Sequence, residues 1–320
     1  SSFVYPGDGD YRGLLIEKDL TEDVAEHLDG MREWVEAVET GLKLGLPEIE
    51  PGDQCTAPYL CPFFDYCNAP GPEYPITILP GKRAEKVRLL EEGITDIREI
   101  PEGYLSNERA EWMRAVTASG QADVRPEAAA LLDDLDYPRY YLDFETVGPP
   151  VPIWAGTRPY EALPFQWSCH TEAVDNTLSH AEFLANGNEA PMRACAESLL
   201  ETIGTTGPIF AYSSYEKTTI RNLAARYPDL APALEALLAR IVDLLPITKA
   251  NYYHPALKGS WSIKSVLPTI APEMAYDDLG EIKEGMGAAD GFLEMIAPGT
   301  TEERRSALRD SLLRYCRLDT

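Results

Sequence analysis

The sequence lacks the features that mark a membrane or secreted protein. It has no run of about 18 apolar residues, the length that a membrane-spanning helix needs. Its opening residues, 1–6, contain no charged leader followed by an apolar stretch, so we expect no secretory signal and a cytoplasmic location without membrane contact. Because the chain starts without methionine at Ser1 and stops inside a helical pattern at Thr320, we expect a fragment of a longer protein.

Positive charge is scarce. Against 53 acidic residues there are 28 lysines and arginines, which leaves a net charge of −25. A field of that sign repels a phosphate backbone, so a nucleic-acid substrate would depend on local cations and bound metals. The alternative interpretation is a solvated acidic surface. A solvated acidic surface and a metal site are compatible, because a metal site uses only a few carboxylates.

Cysteine is sparse too, and half of the six cysteines are clustered. Cys55, Cys61 and Cys67 lie within a 13-residue segment that is rich in proline and aromatic residues. Such a cluster favours a metal or cluster site over free thiols. Without a secretory signal, a disulfide framework is not expected.

Hydrophobic periodicity divides the chain into three parts. Residues 1–75 contain the cysteine cluster and one predicted long helix, whose apolar residues recur at helical spacing from Val24 to Val38. Residues 76–136 are predicted to be a helical connector. From 137 to 320 a run of strands gives way to alternating strands and helices, which predicts an α/β layered domain after a mostly helical N-terminal region.

A pair of carboxylates lies on the first predicted strand of this domain. Asp143 and Glu145 are two residues apart, so their side chains fall on one face while Phe144 points into the core. Two carboxylates on a central strand are costly to leave without partners. Pairing with arginine or lysine is one interpretation, and a divalent metal is the other.

The last predicted helix offers a matching pair. Tyr315 and Asp319 are four residues apart and therefore share a face. Together with the strand Tyr141–Thr146, this pair resembles the DEDD exonuclease superfamily, in its tyrosine subclass. The resemblance implies an RNase H-like domain with a mixed five-stranded sheet and flanking helices. It also implies a 3′–5′ exonuclease activity on DNA or RNA, with single strands as the expected substrate.

The same resemblance implies a third acid at the start of a helix. Glu216 occupies the place where these enzymes carry aspartate, and Asp243 is the fallback. The implied mechanism uses two Mg²⁺ or Mn²⁺ ions. Asp143 would bridge them, Glu145 and Asp319 would complete one site, and Glu216 would hold the other. Tyr315 would orient the attacking water.

The likeness extends to most of the chain. Segments such as Leu163–His170 and Ser262–Pro268 resemble an uncharacterised bacterial family that joins a RecB-like, PD-(D/E)XK-type nuclease module to a DEDD domain. That resemblance implies a [4Fe–4S] cluster at the three cysteines in the intact protein, with zinc and reduced thiols as alternatives. It makes 1–75 the tail of a RecB-like module whose catalytic core is missing. The connector 76–136 loosely resembles a helix-hairpin-helix element.

Several side chains are candidate substrate contacts. A phosphate would be met by a cation and a base by an aromatic ring, although surface and core roles are equally open for each. The candidates are Arg158, Tyr160, Gln166 and Lys264.

Three hypotheses follow. The first is a metal-dependent exonuclease. The second is a nucleic-acid-binding module whose catalytic site has decayed at Glu216. The third is a structural or redox role that depends on the cysteines.

Overall fold

The protein is described from a computed structural model. The structure describes residues 2–45, 52–55, 57, 59–68, 71–133, 135–187, 189–274, 282 and 285–320. None of the described helices combines the length and the apolar character needed to cross a membrane.

The N-terminal region is helical, as predicted. The predicted long helix is two helices, because the regular helical hydrogen bonding is interrupted at Glu26 and His27, where the amide of His27 donates to the carbonyl oxygen of Val24. Their apolar side chains are exposed, for example Val38 at 63%. The elements are α1 (Thr21–Ala25), α2 (Leu28–Lys43), α3 (Phe64–Asn68), α4 (Arg83–Glu91), α5 (Glu108–Ser119), the short strand β1 (Asp123–Val124) and α6 (Glu127–Asp133).

The remainder is the predicted mixture of strands and helices. Its strands are β2 (Arg139–Val147), β3 (Leu163–Glu172), β4 (Leu178–Leu184), β5 (Ile209–Ala211), β6 (Ile241–Asp243) and β7 (Tyr252–Tyr253). Its helices are α7 (Pro191–Thr202), α8 (Tyr215–Arg226), α9 (Ala231–Leu238), α10 (Leu244–Asn251), α11 (Ile263–Ile270), α12 (Gly285–Ile296) and α13 (Glu302–Asp319).

Five of these strands form one mixed sheet in the order β4-β3-β2-β5-β6. The pairs β4–β3 and β3–β2 are antiparallel, whereas β2–β5 and β5–β6 are parallel. The register shifts between Glu145 and Thr146, where β2 loses regular pairing with β3. The strand β2 therefore occupies the centre of the sheet, and the carboxyl ends of β2 and β5 lie at the same edge.

Strand alternation gives β2 two different faces. Leu142 and Phe144 are each 3% exposed and pack into the main core. Asp143 and Glu145 lie on the opposite face, where they are opposite Ser168 and Gln166 of β3.

Helix α13 crosses that second face. Gln166 is fully buried there and donates a hydrogen bond from Nε2 to the carbonyl oxygen of Leu312 at 2.8 Å. Leu312 and Tyr315 belong to the main core, which anchors one side of the helix. The next residues of α13 are thereby placed over Asp143.

A second hydrophobic cluster joins the connector to the α/β part. Leu89, Ile97 and Met113 from the connector pack in one cluster with Tyr253 and Trp261. The short pairing of β1 with β7 links the same two regions. The connector thus lies beside the segment that leads into α11.

Candidate metal centre

Strand β2 supplies two of the acids, and α13 adds a thiol. One ligand atom each from Asp143, Glu145 and Cys316 lie within 4.8 Å of one another. The Cys316 thiol donates a weak hydrogen bond to Asp143 Oδ2 at 3.8 Å. No other group of three such ligands this close was found among the described residues.

Helix α13 also brings its tyrosine and its last acid to this place. Tyr315 is 2% exposed, and its hydroxyl accepts a hydrogen bond from Lys264 Nζ at 3.2 Å. Asp319, one turn further along, lines a cleft of about 360 Å³ together with Asp143 and Glu216, which we call the acid cleft. A helix repeats every 3.6 residues, so Tyr315 and Asp319 both face the sheet.

Glu216 enters the same cleft from α8. The chain leaves β5 through Ser213, whose hydroxyl donates to Glu216 Oε2 at 3.2 Å. Glu216 lies in the first turn of α8 and is 4% exposed. Because β5 runs parallel to β2, the start of α8 lies next to the carboxyl half of β2.

Burial and mutual repulsion raise the pKa values of Asp143, Glu145 and Glu216. The pKa of Asp143 lies well above its usual value, first through burial and then through the charges of Glu145 and Asp319. Burial and Asp319 raise the pKa of Glu145 to about 8, although Lys264 acts in the opposite direction. The pKa of Glu216 is also raised, mainly by burial.

The same burial and negative charges act on the neighbouring Tyr315. Burial, followed by the charges of Glu145 and Asp319, raises the pKa of Tyr315. The hydroxyl therefore stays protonated beside the carboxylates and can donate a hydrogen bond.

The donor set fits a divalent cation. Carboxylate oxygens are the ligands that Mg²⁺ and Mn²⁺ prefer. Along the described chain, the ion pairs within 4.0 Å do not include Asp143, Glu145 or Glu216. An ion pair with arginine or lysine therefore does not account for these three side chains, and Lys264 acts on Glu145 only through its charge. A divalent cation would supply the positive charge that buried carboxylates require.

Cys316 is the site residue that the sequence interpretation missed. It lies four residues after Leu312 and three before Asp319, so all three share one face of α13. That spacing was visible in the sequence. Its proximity to Asp143 depends on how α13 crosses the sheet, which spacing alone does not predict.

The remaining predicted residues have different surroundings. Lys264 contacts Tyr315 beside the clustered acids. Gln166 is a buried contact that holds α13 on the sheet. Arg158 and Tyr160 are exposed on the loop between β2 and β3 and do not line the acid cleft. Asp243 accepts a hydrogen bond from the Leu245 amide as the N-cap of α10, and its charge contributes to the raised pKa of Glu216.

The three clustered cysteines lie far along the chain from this centre. Cys55 and Cys61 are partly buried and Cys67 is exposed, and all three are free thiols. The amide of Cys61 donates to the carbonyl of Cys55 at 2.8 Å. Within the described residues their three sulfur atoms do not all lie within 4.8 Å of one another.

A larger cleft, of about 800 Å³, lies at the carboxyl end of α13. Tyr141, His170, Arg314 and Arg317 are among its lining residues, and none of the four clustered acids is. The smaller cleft is the one lined by clustered acids, namely Asp143, Glu216 and Asp319.

Comparison with known proteins gives one family match. The model of the family described as "Domain of unknown function (DUF2779)" matches residues 140–262. The matched segment includes Asp143, Glu145 and Glu216 and stops before α13. No curated protein and no solved structure matches the chain.

Proposed function

We propose that the protein is a metal-dependent 3′–5′ exonuclease whose catalytic domain has an RNase H-like fold. One observation carries the proposal. Three segments far apart in the chain bring Asp143, Glu145, Glu216, Tyr315 and Asp319 to one place on the sheet.

The sheet topology supports the fold assignment. Three antiparallel strands continue into two parallel ones, with the acidic strand β2 at the centre. The RNase H-like domain that the sequence resemblance implies has a mixed five-stranded sheet, and this sheet has that number of strands and that mixture of directions. The resemblance of the sequence motifs points to the same fold.

The residues suit phosphodiester hydrolysis. When bound, a pair of divalent ions supplies an activated nucleophile and stabilises charge on the attacking and leaving oxygens. Asp143, Glu145, Glu216 and Asp319 would hold these ions. Tyr315 remains protonated, and Lys264 fixes its hydroxyl, so it can orient the attacking water.

Substrate class and direction come from the sequence resemblance. It implies trimming of DNA or RNA from the 3′ end. An exonuclease needs a free strand end at the metals, and in this proposal that end lies in the acid cleft of about 360 Å³.

The direct test is degradation of 5′-labelled single-stranded DNA and RNA with and without Mn²⁺. The expected result is a ladder that shortens from the 3′ end. Asp143→Asn and Asp319→Asn should each reduce the rate by more than about a hundredfold, since even outer-shell changes around a metal cost 10–100-fold. Asp310→Asn is the matched control, because Asp310 is an exposed acid on the same helix.

One observation favours the second candidate, a binding module without turnover. Glu216 stands where the related enzymes carry aspartate, and Ser213 already occupies one of its oxygens. This candidate predicts strand binding with no cleavage in Mn²⁺. It also predicts cleavage on restoring the shorter acid, Glu216→Asp. Cleavage by the unmodified protein would exclude it.

A further inference from the structure

A second cleft opens beside the acid one and carries the opposite charge. Its volume is about 480 Å³. Three cations line it: Arg109 from α5, Arg125 after β1 and Lys249 from α10. The remaining lining residues are Glu108, Trp112, Leu245, Pro246 and Ala250. We call it the basic cleft.

The basic cleft adjoins the acid cleft. Leu245 and Lys249 line both. The guanidinium carbon of Arg109 lies 4.7 Å from the ring centroid of Trp261, and Trp261 also lines the acid cleft. A chain that leaves the carboxylates on this side therefore meets the three cations next.

These cations have no anionic partner in the described part of the chain. The ion pairs found there do not include Arg109, Arg125 or Lys249. Burial lowers the pKa of Arg109, and the positive charge of Arg125 lowers it further. Three such side chains in one cleft are unusual in a protein with a net charge of −25, because an acidic surface offers many partners.

A structural role explains part of this arrangement. Arg109 donates to the carbonyl oxygen of Lys249, and Arg125 donates to that of Ala250 at 3.3 Å, so both arginines cap the carboxyl end of α10. Capping uses few of the five N–H donors of each guanidinium. It does not explain Lys249, whose ammonium makes no hydrogen bond or ion pair with any described residue.

We propose that the basic cleft binds backbone phosphates of the single strand whose 3′ end lies at the carboxylates. This proposal rests on the proposed function, since it extends the same substrate. Phosphate oxygens match guanidinium and ammonium donors. The connector, through Arg109 and Arg125, would then form part of the substrate path.

The test separates strand binding from chemistry. Binding is measured by fluorescence anisotropy in Ca²⁺, with a labelled single strand of about 20 nucleotides, longer than the ~4–16 that one single-strand-binding fold covers. The variant is Arg109→Gln/Arg125→Gln/Lys249→Gln. The control, Lys43→Gln/Arg221→Gln/Arg309→Gln, removes the same charge from exposed positions outside the described clefts. Circular dichroism and thermal melting check folding.

The cleft variant should bind the strand at least about tenfold more weakly than the control. Each phosphate contact on a single strand contributes about 0.7 to the slope of log affinity against log salt, so three contacts should reduce that slope by about 2. Lys249→Gln alone should reduce the salt slope by about 0.7. This variant keeps both arginines that cap the carboxyl end of α10. Arg109→Lys/Arg125→Lys should retain most of the binding.

A small diester distinguishes this proposal from the proposed function. Mn²⁺-dependent hydrolysis of bis(p-nitrophenyl) phosphate needs the carboxylates and Tyr315 but no backbone phosphates beyond the scissile one. The cleft variant should therefore lose much more kcat/KM on the strand than on the diester. Equal strand affinity and salt slope in the cleft variant and the control would overturn the cleft proposal, as would an unmodified protein that binds no strand. If binding depends on the cleft but the unmodified protein cleaves neither substrate, the proposed function fails and the cleft proposal stands.

Discussion

At the scale of single residues, the centre combines groups with different tasks. The carboxylates provide negative charge, and Tyr315 provides a hydroxyl held between that charge and Lys264. Cys316 adds a thiol that touches Asp143. Their tasks can be separated by removing one atom or one charge at a time.

Tyr315→Phe removes the hydroxyl and keeps the buried ring. We expect kcat to fall by about 10²–10⁴-fold, the range for a group that positions or transfers a proton, with little change in KM. Stabilisation by Mn²⁺ in a thermal melt should persist, because the carboxylates remain. Tyr227→Phe, at the end of α8, is the control. An unchanged kcat in Tyr315→Phe would exclude the water-orienting role.

The raised pKa of Glu145 predicts how the stability of the folded protein depends on pH. Its pKa rises from an ordinary 4.5 to about 8 in the folded protein, so between those values the folded state binds more protons than the unfolded state. Without divalent ions, the melting temperature should fall as pH rises through this window. Mn²⁺ should reverse the trend, since it favours the ionised carboxylates.

The matched variant is Glu145→Gln, which cannot ionise. Its metal-free decrease between pH 5 and 8 should be smaller than that of the unmodified protein by at least about 3 °C, since 1 kcal/mol shifts the melting temperature of a domain this size by about 2–4 °C. Parallel curves for the two proteins would show that Glu145 is not the titrating group.

At the scale of elements, the sequence predicted the strand and the helices that bear the clustered acids, β2, α8 and α13. It did not predict α11 or α12, which lie beside them. Strand alternation predicted that Asp143 and Glu145 share a face, and helical spacing predicted the same for Tyr315 and Asp319. The last helix was predicted to span Glu302–Asp319, and these are the bounds of α13. That these two pairs meet depends on the crossing of α13 over β3, which involves Gln166 and is not a local property.

The helices α11 and α12 were not predicted, for a local reason. Pro268 lies inside α11, and α12 begins at Gly285, so residue preferences argue against both helices. Tertiary packing outweighs them. Gly285 also lies against Glu145, where a Cβ atom would be 3.7 Å from Oε2.

Gly207 is needed where the chain enters β5. Its φ of 83° is left-handed, and a Cβ there would overlap the carbonyl oxygen of Pro138, just before β2. Gly207→Ala should therefore lower the free energy of unfolding by at least about 2 kcal/mol, more than the ~1–2 kcal/mol of backbone strain alone. Gly120→Ala, with φ 71° and open space around the added Cβ, isolates that strain. Equal losses in chemical denaturation would mean that the contact with Pro138 is unimportant.

At the scale of the whole molecule, charge is distributed unevenly. The net charge of −25 repels a polyanion. The acid cleft adds to that repulsion once its carboxyls ionise, and bound cations would reverse its charge, whereas the basic cleft opposes the repulsion nearby. Divalent ions should therefore tighten strand binding, and this effect should require the carboxylates of the acid cleft.

Asp143→Asn/Asp319→Asn tests this dependence. In EDTA at pH 9, where the carboxyls of the acid cleft ionise more fully than at neutral pH, the unmodified protein should bind a single strand weakly. The double variant should bind it about fivefold more tightly, because one close charge repulsion in water is worth about 1 kcal/mol. Mg²⁺ at constant ionic strength should tighten binding by the unmodified protein and have little effect on the variant. The control, Glu303→Gln/Asp310→Asn, removes two exposed charges from α13. If it matches the first variant in both conditions, the overall field governs binding and the acid cleft has no special part in it.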